Sequence, residues 1–187
     1  DLGTGIRSVL TILQANANPT AVEFMERKVV ALGESFSGVQ YPRPDAGSYI
    51  LLTFDGHESE VNANIERVRR LALDNGAIDY IVLRSAEQAA DIWKVRGALV
   101  KAVEAISEQE PVDLVVPISK VDAFIRFVGE QEPAGYDLAL LIGHGKGARG
   151  LAGFQMSLQP FAYVCFQCPQ LVPVLQQMAR LLRAPFH

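Results

Sequence analysis

The segment GHGKGAR at residues 143–149 has the residue types of a ligand-binding loop, because it combines three glycines with one histidine and two cations. Gly143, Gly145 and Ala148 satisfy the pattern G-x-G-x-x-A, in which backbone amides approach a pyrophosphate at a helix N-terminus. That pattern expects an acidic residue about 20 positions later to hold a ribose, yet no Asp or Glu follows Asp137. We therefore interpret the segment as a glycine-rich turn at the end of a strand.

Two cysteines in the segment CFQC form a second candidate site. Cys165 and Cys168 have the C-x-x-C spacing of a thiol-redox motif between a strand and a helix. Two thiols also supply half of a zinc site, but no second Cys or His pair lies nearby to complete it. The alternative is a pair of small buried apolar side chains, and we favour it because free cysteine is among the most buried residue types.

A third candidate is an arginine within an apolar stripe. Advancing 100° per residue along the helix predicted after Ser85 brings several apolar side chains into one arc: Ile92, Leu99, Val103 and Ile106, flanked by Val95 and Val100. Arg96 falls near the middle of this arc. A guanidinium there must find an anion or extend outward to water. If the arc lines a site, the guanidinium suits a substrate carboxylate. The alternative is an internal ion pair or a stem extended to water, and the position in the stripe alone favours it.

The histidines carry less information. His144 follows a predicted strand, where a lone histidine is more often a hydrogen-bonded structural residue than a ligand or a base. His57 stands at the expected start of a helix, so we expect it at the surface. No Ser-His-Asp or paired-carboxylate spacing is evident.

The elements that must position these residues alternate along the chain. Strands are predicted at 48–56, 79–85, 112–117 and 136–143 from their β-branched and apolar runs. Helices are predicted at 7–16 and after His57, the second of them ending at Gly76. A third helix is predicted from Ser85 through Ile106, with Ser85 and Gln88 as a capping box. A fourth is predicted after Ser119, and its apolar face consists of Val121, Phe124, Ile125 and Val128. Residues 19–32 are typical of a strand running into a helix. Beyond Gly150 the signals weaken, with a strand at 161–166 and a helix at 171–182.

This alternation fits two arrangements. One is a doubly wound parallel sheet, and the other is a set of repeated β-α-β units in a ferredoxin-like α+β sandwich. The spacing of the elements does not separate them.

Composition limits the function classes. The 187 residues suffice for a single domain, 1–187, and the net charge of −4 argues against a nucleic-acid surface. No apolar run approaches the roughly 20 residues of a membrane span. Two cysteines without a secretory pattern indicate a reducing compartment, so we expect a cytoplasmic location. The chain opens at Asp1 rather than Met, and we expect it to be a domain of a longer protein.

Charge is distributed unevenly along the chain. All 21 acidic residues lie between Asp1 and Asp137, where 13 Lys and Arg accompany them. The last 50 residues contain basic side chains and no acidic ones, which makes the tail at 151–187 atypical.

Five segments in order resemble the C-terminal domain of FAD-linked 2-hydroxy-acid oxidases and dehydrogenases, a group that includes glycolate oxidase, D-lactate dehydrogenases and D-2-hydroxyglutarate dehydrogenase. The segments are PTAVEFMER at 19–27, LLTFDG at 51–56, IWKVRGAL at 92–99, VDLVVPISKVDAFI at 112–125 and YDLALLIGHG at 136–145. The resemblance covers roughly residues 15–145. No single segment is specific, but their order and spacing are.

The resemblance implies an α+β, ferredoxin-like sandwich with an antiparallel sheet and helices on one face. It implies a substrate-binding or cap domain that closes over FAD, with the flavin bound mainly by an N-terminal domain absent from this chain. Cofactor-binding residues here are unknown, and the isolated chain is expected to be inactive. The expected partners are a small 2-hydroxy acid and that N-terminal domain, with further oxidase subunits left open.

The same resemblance gives roles to particular residues. Trp93 and Arg96 match a W-x-x-R stretch whose arginine is associated with the substrate carboxylate in the family, so both are predicted to bind substrate. His144 is predicted to be catalytic, in the pocket wall near the flavin.

The family's metal signature is only begun in this sequence. Its pattern is G-H-x-G-D-G-N-x-H; Gly143 and His144 match the start, but Gly147, Arg149 and Leu151 stand where the pattern has its Asp, Asn and second His. One imidazole does not hold an ion that needs three or four protein ligands, so no metal is expected. The missing ligands favour an alternative function, that of a non-catalytic binding or assembly domain.

Overall fold

An antiparallel sheet with helices against both of its faces forms the described part of the chain, in this computed structural model. The structure describes residues 2–17, 19–106, 112–116, 120–131, 141–146 and 154–158. The helices are α1 (Leu2–Gln14), α2 (Arg27–Ser37), α3 (Glu58–Asp74), α4 (Ala86–Glu104) and α5 (Val121–Gln131). The strands are β1 (Ala21–Glu26), β2 (Ser48–Thr53), β3 (Val112–Val116), β4 (Leu141–Lys146) and β5 (Phe154–Leu158).

The sheet has the strand order β2-β1-β4-β5-β3, and every neighbouring pair is antiparallel. β1 therefore lies inside the sheet, bonded to β2 on one side and to β4 on the other. Its four central residues are all buried, as expected for a strand covered on both faces. The predicted α+β class and the antiparallel sheet are confirmed.

Alternate residues of β1 contact different helices, because successive side chains of a strand point to opposite faces. Phe24 lies against α1, where its ring approaches Gly5. Met25 belongs instead to a cluster with Val29 of α2 and Leu99 of α4. The prediction that helices cover one face of the sheet is wrong, since a strand buried on both sides needs an apolar cover on each.

The helix predicted from Ser85 is confirmed together with its cap. The Ser85 hydroxyl accepts a hydrogen bond from the Gln88 amide at 3.2 Å, and the Gln88 side chain accepts one from the Ser85 amide at 3.2 Å. These reciprocal bonds satisfy two donors that a helix start otherwise leaves unpaired. They fix the residue at which α4 begins, and with it the rotation of its buried stripe.

α2 and α4 pack closely because α2 carries a glycine at their contact. A Cβ atom built on Gly33 would lie 2.6 Å from Cδ2 of Leu99 and 3.0 Å from the carbonyl oxygen of Val95. The backbone of α2 thus approaches α4 more closely than a larger residue would allow. This contact holds α4 over the face of the sheet on which the Met25 side chain lies.

The strand predicted at 79–85 is wrong, because these residues form no regular strand. Side chains accept hydrogen bonds from the backbone at both ends of this segment. The Tyr80 amide donates to Asp79 at 2.7 Å, and the Arg84 amide donates to Gln88 at 2.9 Å as part of the α4 cap. A run of β-branched residues does not form a strand where local side chains satisfy its backbone.

The glycine-rich turn predicted at GHGKGAR is also wrong over its first four residues, which continue β4 through Lys146. Gly143 and Gly145 are the register partners of Phe24 and Val22 on β1. Glycine within a strand often marks a close approach of other structure, and sheet pairing on both sides outweighs its turn propensity here. Residues 147–149 of the segment lie outside the described residues.

The remaining predicted elements fall into two groups. The structure confirms the predicted strands at 48–56 and 112–117 and the strand-to-helix segment at 19–32. It also confirms the predicted helices at 7–16, after His57 and after Ser119. The strand at 136–143 is confirmed from Leu141 onward. The strand at 161–166, the helix at 171–182, Cys165 and Cys168 lie outside the described residues. β5 was not predicted.

Candidate functional site

An ion pair between β1 and α4 lies at the centre of the candidate site. Nε of Arg96 donates to Oε2 of Glu23, and 73 residues separate the two in the sequence. The side chains are 19% and 11% exposed, respectively. A charge-assisted hydrogen bond with so little solvent exposure is stronger than an ion pair at the surface, because water screens it less.

The local structure explains how these two side chains meet. Glu23 and Met25 alternate onto one face of β1, and Met25 packs into the apolar cluster that includes Val95 of α4. Arg96 follows Val95 directly, at the edge of the buried stripe of α4. The apolar contact therefore sets the distance between strand and helix, and the ion pair forms beside it.

The predicted buried arc of α4 needs correction at its far end. Val95, Leu99 and Val103 are fully buried and Ile92 nearly so, but Val100 is 37% and Ile106 is 59% exposed. The arc is thus narrower than predicted and centred on Val95 and Leu99. Arg96 lies at its margin, where a partly buried guanidinium reaches the carboxylate of β1.

A tyrosine hydroxyl lies in the electrostatic field of the pair. Tyr41 is buried, and its ring meets that of Tyr49 edge to face with centroids 4.9 Å apart. Burial raises the pKa of Tyr41, the Glu23 carboxylate raises it further, and the Arg96 charge acts in the opposite direction. The phenol is therefore held in its neutral form, which can donate a hydrogen bond.

A second ion pair lies in the same layer and ties α2 to the segment that follows it. Arg27 contacts Glu34 in a bidentate manner, with Nη1–Oε1 at 3.1 Å and Nη2–Oε2 at 2.5 Å, and also donates to the Tyr49 hydroxyl at 2.9 Å. Glu34 in turn accepts from the Tyr41 amide at 2.8 Å. The Arg27 hydrogen bond is the main cause that lowers the pKa of Glu34.

Trp93 occupies the position three residues before Arg96 on α4, so the two are neighbours on the helix surface. Its side chain belongs to the exposed apolar residues, with 43% of its surface accessible. The structure thus brings a partly buried cation and an exposed aromatic residue together on one helix.

His144 lies on β4 at the register position opposite Glu23 of β1. On its other side it is paired in register with Gln155 of β5. The structure therefore places the backbone of His144 in the same part of the sheet as the acidic partner of Arg96. His57 lies exposed before α3, as predicted.

Sequence reasoning missed Glu23 and Tyr41. A signal for Glu23 exists, because an acidic residue interrupts the apolar run AVEFM of a strand that is buried on both faces. A buried carboxylate needs a cation, and Arg96 in its apolar stripe is the complementary case. Tyr41 gives no such signal, since it lies in an irregular segment between α2 and β2.

Among the described residues, the partly buried guanidinium groups of Arg27 and Arg96 are each paired with a carboxylate. No set of three His, Cys, Asp or Glu side chains in the described part has the geometry to hold a metal ion. Within the same residues, no helix combines the length and the apolar character needed to span a membrane.

Comparison with known proteins supplies the family. The model of "FAD linked oxidases, C-terminal domain" matches residues 1–146. The chain is 39% identical over 121 residues to the D-lactate dehydrogenase of Anaerostipes hadrus, covering 61% of this chain and 26% of that protein. It is 29% identical over 110 residues to the D-lactate dehydrogenase of Archaeoglobus fulgidus, covering 58% and 23%.

A third relative carries a different substrate in its name. The "Probable D-2-hydroxyglutarate dehydrogenase, mitochondrial" of Oryza sativa is 25% identical over 131 residues, covering 67% of this chain and 23% of that protein. The chain thus spans about a quarter of the length of these relatives. Because the family model covers most of the chain, the chain belongs to the C-terminal domain family of FAD-linked oxidases, in which FAD is the cofactor.

Proposed function

We propose that this chain is the substrate-binding or cap domain of an FAD-dependent oxidoreductase that acts on small 2-hydroxy acids, with D-lactate as the first candidate and glycolate as the next. The proposal includes an FAD-binding domain N-terminal to this chain, one folded domain over residues 1–187 and a cytoplasmic location. It also includes a ferredoxin-like relation among the β-α-β units, which the antiparallel pairing of all described strands supports.

The observation that carries the proposal is the position of Arg96. Its guanidinium is partly buried, it is held by a carboxylate of the interior strand β1, and it retains 19% exposure of its side chain. A planar cation held in this manner is suited to a carboxylate ligand, since the guanidinium fork matches carboxylate geometry. A 2-hydroxy acid supplies such a carboxylate next to its reactive carbon.

Trp93 and His144 have supporting roles in this proposal. The exposed indole of Trp93, one helical turn from Arg96, would cover the apolar part of the substrate. His144 would act in the pocket wall, and its register position opposite Glu23 supports a location near Arg96. FAD would be held mainly by the other domain, and this chain would bind and orient the hydroxy acid.

A second candidate function is that of a non-catalytic binding or assembly domain. The sequence at 143–151 favours it, because the later positions of the family's metal signature carry no ligand and no acidic residue follows Asp137. In that case the Glu23–Arg96 pair would be structural.

Anaerobic flavin reduction separates the two functions. The complete protein that contains this chain is purified, its FAD content is measured, and D-lactate, D-2-hydroxyglutarate and glycolate are added in turn while flavin absorbance is followed. The first proposal predicts that at least one of these acids bleaches the flavin. A protein that carries no FAD, or whose FAD none of the acids reduces, would support the non-catalytic function instead.

A further inference from the structure

We propose that Glu23 is the positioning residue for substrate carboxylate binding: it fixes the orientation of Arg96, so that the guanidinium is presented to the 2-hydroxy acid in one geometry. This inference rests on the proposed function, since it assigns a task to Glu23 only if Arg96 binds the substrate.

The location of Glu23 makes it a rigid support. It lies in the interior of β1, which is hydrogen-bonded to a strand on each side, and the residue is 8% exposed. Its neighbour on the same face, Met25, is fully buried in the cluster that joins α2 and α4. The carboxylate therefore has little freedom to move relative to α4.

The contact through Nε determines what Glu23 does to Arg96. The guanidinium is planar and its N–H donors form a rigid fork, so an acceptor at Nε restricts the orientation of the whole group. An arginine side chain otherwise loses considerable rotamer entropy when it binds a ligand. A fixed guanidinium has lost that entropy on folding, and this improves carboxylate affinity.

The register of the sheet connects Glu23 to the other predicted site residue. Glu23 is the Cα partner of His144 on β4 and the ion-pair partner of Arg96 on α4. One residue thus links the strand of the predicted catalytic histidine to the helix of the predicted carboxylate ligand. A shift of β1 would alter both positions together.

The Arg27–Glu34 pair provides a matched control. Its side chains are 26% and 13% exposed, close to the values for Arg96 and Glu23. It lies within α2 and bonds Tyr49 and the Tyr41 amide, so its loss should affect stability. It has no part in the proposed carboxylate site.

The test measures the dissociation constant of oxalate, an unreactive dicarboxylate, by calorimetry on the complete flavoprotein. Glu23→Asp keeps the negative charge but withdraws it by one methylene, and we expect it to weaken oxalate binding by about tenfold, as for a lost charge-assisted contact. Glu23→Ala should weaken binding at least as much. Glu34→Asp should leave oxalate affinity within about twofold of the original.

The outcomes distinguish the positioning role of Glu23 from the substrate-binding role of Arg96. If Arg96→Ala weakens oxalate binding while Glu23→Asp and Glu23→Ala bind as the original does, or more tightly, Glu23 has no positioning role and this inference is wrong. If Arg96→Ala itself leaves the affinity unchanged, the proposed function of Arg96 fails. Should Glu23→Ala not fold, Glu23→Asp alone decides, since it retains the carboxylate.

Discussion

Glu23 of β1 and Arg96 of α4 form an ion pair that joins an interior strand of the sheet to the helix packed over it. Both side chains are largely withdrawn from water, so each is costly to leave without the other. The stability of this layer and the proposed recognition of a carboxylate therefore depend on the same contact.

Removing one member of this pair should destabilise the fold. Glu23→Ala is expected to lower the free energy of unfolding by about 3 kcal/mol, because it leaves a partly buried guanidinium without its carboxylate. The double variant Glu23→Leu with Arg96→Met should recover much of this loss, since no charge then remains buried. Urea unfolding of Glu23→Leu, Arg96→Met and the double variant measures the coupling; losses that simply add would show that the contact contributes nothing.

Acid should weaken the Arg27–Glu34 pair. The pKa of Glu34 in the folded state lies below its ordinary value of 4.5. Its contribution to stability is therefore complete above that ordinary value and is lost as the pH falls through the lower, folded-state pKa. We expect Glu34→Gln to reduce the pH dependence of unfolding between neutral and strongly acid pH, as followed by urea titrations.

An exposed pair serves as the control for this acid effect. The side chains of Arg43 and Asp45 are 44% and 62% exposed, and Nη2 of Arg43 lies 2.8 Å from Oδ2 of Asp45. Asp45→Asn should change the free energy of unfolding by less than about 0.5 kcal/mol, as is usual for surface pairs. An equal change in both variants would contradict the role assigned to burial.

Alkali should act on Tyr41. Burial raises its pKa above the ordinary value of 10.0, so the neutral phenol is favoured in the folded state. This contribution is present below the unfolded-state pKa and is lost as the pH rises through the folded-state pKa. Ultraviolet titration of tyrosinate should show a late step that disappears in Tyr41→Phe; an unchanged titration curve in that variant would refute the assignment.

Two glycines on packed helices should respond in opposite directions to alanine. Gly33→Ala is expected to lower the free energy of unfolding by about 1–3 kcal/mol, because its Cβ would meet Leu99 and the Val95 carbonyl. At Gly97 a Cβ meets nothing within 4 Å. Gly97→Ala should stabilise α4 by about 0.5–1 kcal/mol, since alanine has the higher helix propensity. Thermal unfolding of both variants checks the pair, and a stabilising Gly33→Ala would show that α2 and α4 are not in close contact.

The sequence predicted elements well where local signals and tertiary packing agree. α4 is such a case, because the capping box at Ser85 and the apolar stripe indicate the same helix. Residues 79–85 are the opposite case, since their β-branched run gave no indication that Asp79 and Gln88 would take the backbone donors. At GHGK, pairing with two strands overrides the turn propensity of glycine, and single-sequence reasoning cannot detect those long-range partners.

In the candidate site, too, the residue with a local signal was predicted and the residue that depends on a long-range contact was not. Arg96 was identified from its position in an apolar stripe and from the family resemblance. The internal ion pair, which was the alternative to a substrate role, is confirmed by the contact with Glu23, and the substrate role stays a prediction. Glu23 was not identified, since its partner lies 73 residues away and only the fold brings the two together. A charged residue within an apolar run indicates that the charge needs a partner. It does not indicate which residue that partner is.

The affinity of Arg96 variants for oxalate tests the central claim most directly. In the complete flavoprotein, calorimetry should show that Arg96→Ala weakens oxalate binding by at least about tenfold and that Arg96→Lys restores part of it, because lysine keeps the charge without the fork. Arg96→Ala that binds oxalate as tightly as the original protein would contradict the claim that this domain holds the substrate carboxylate.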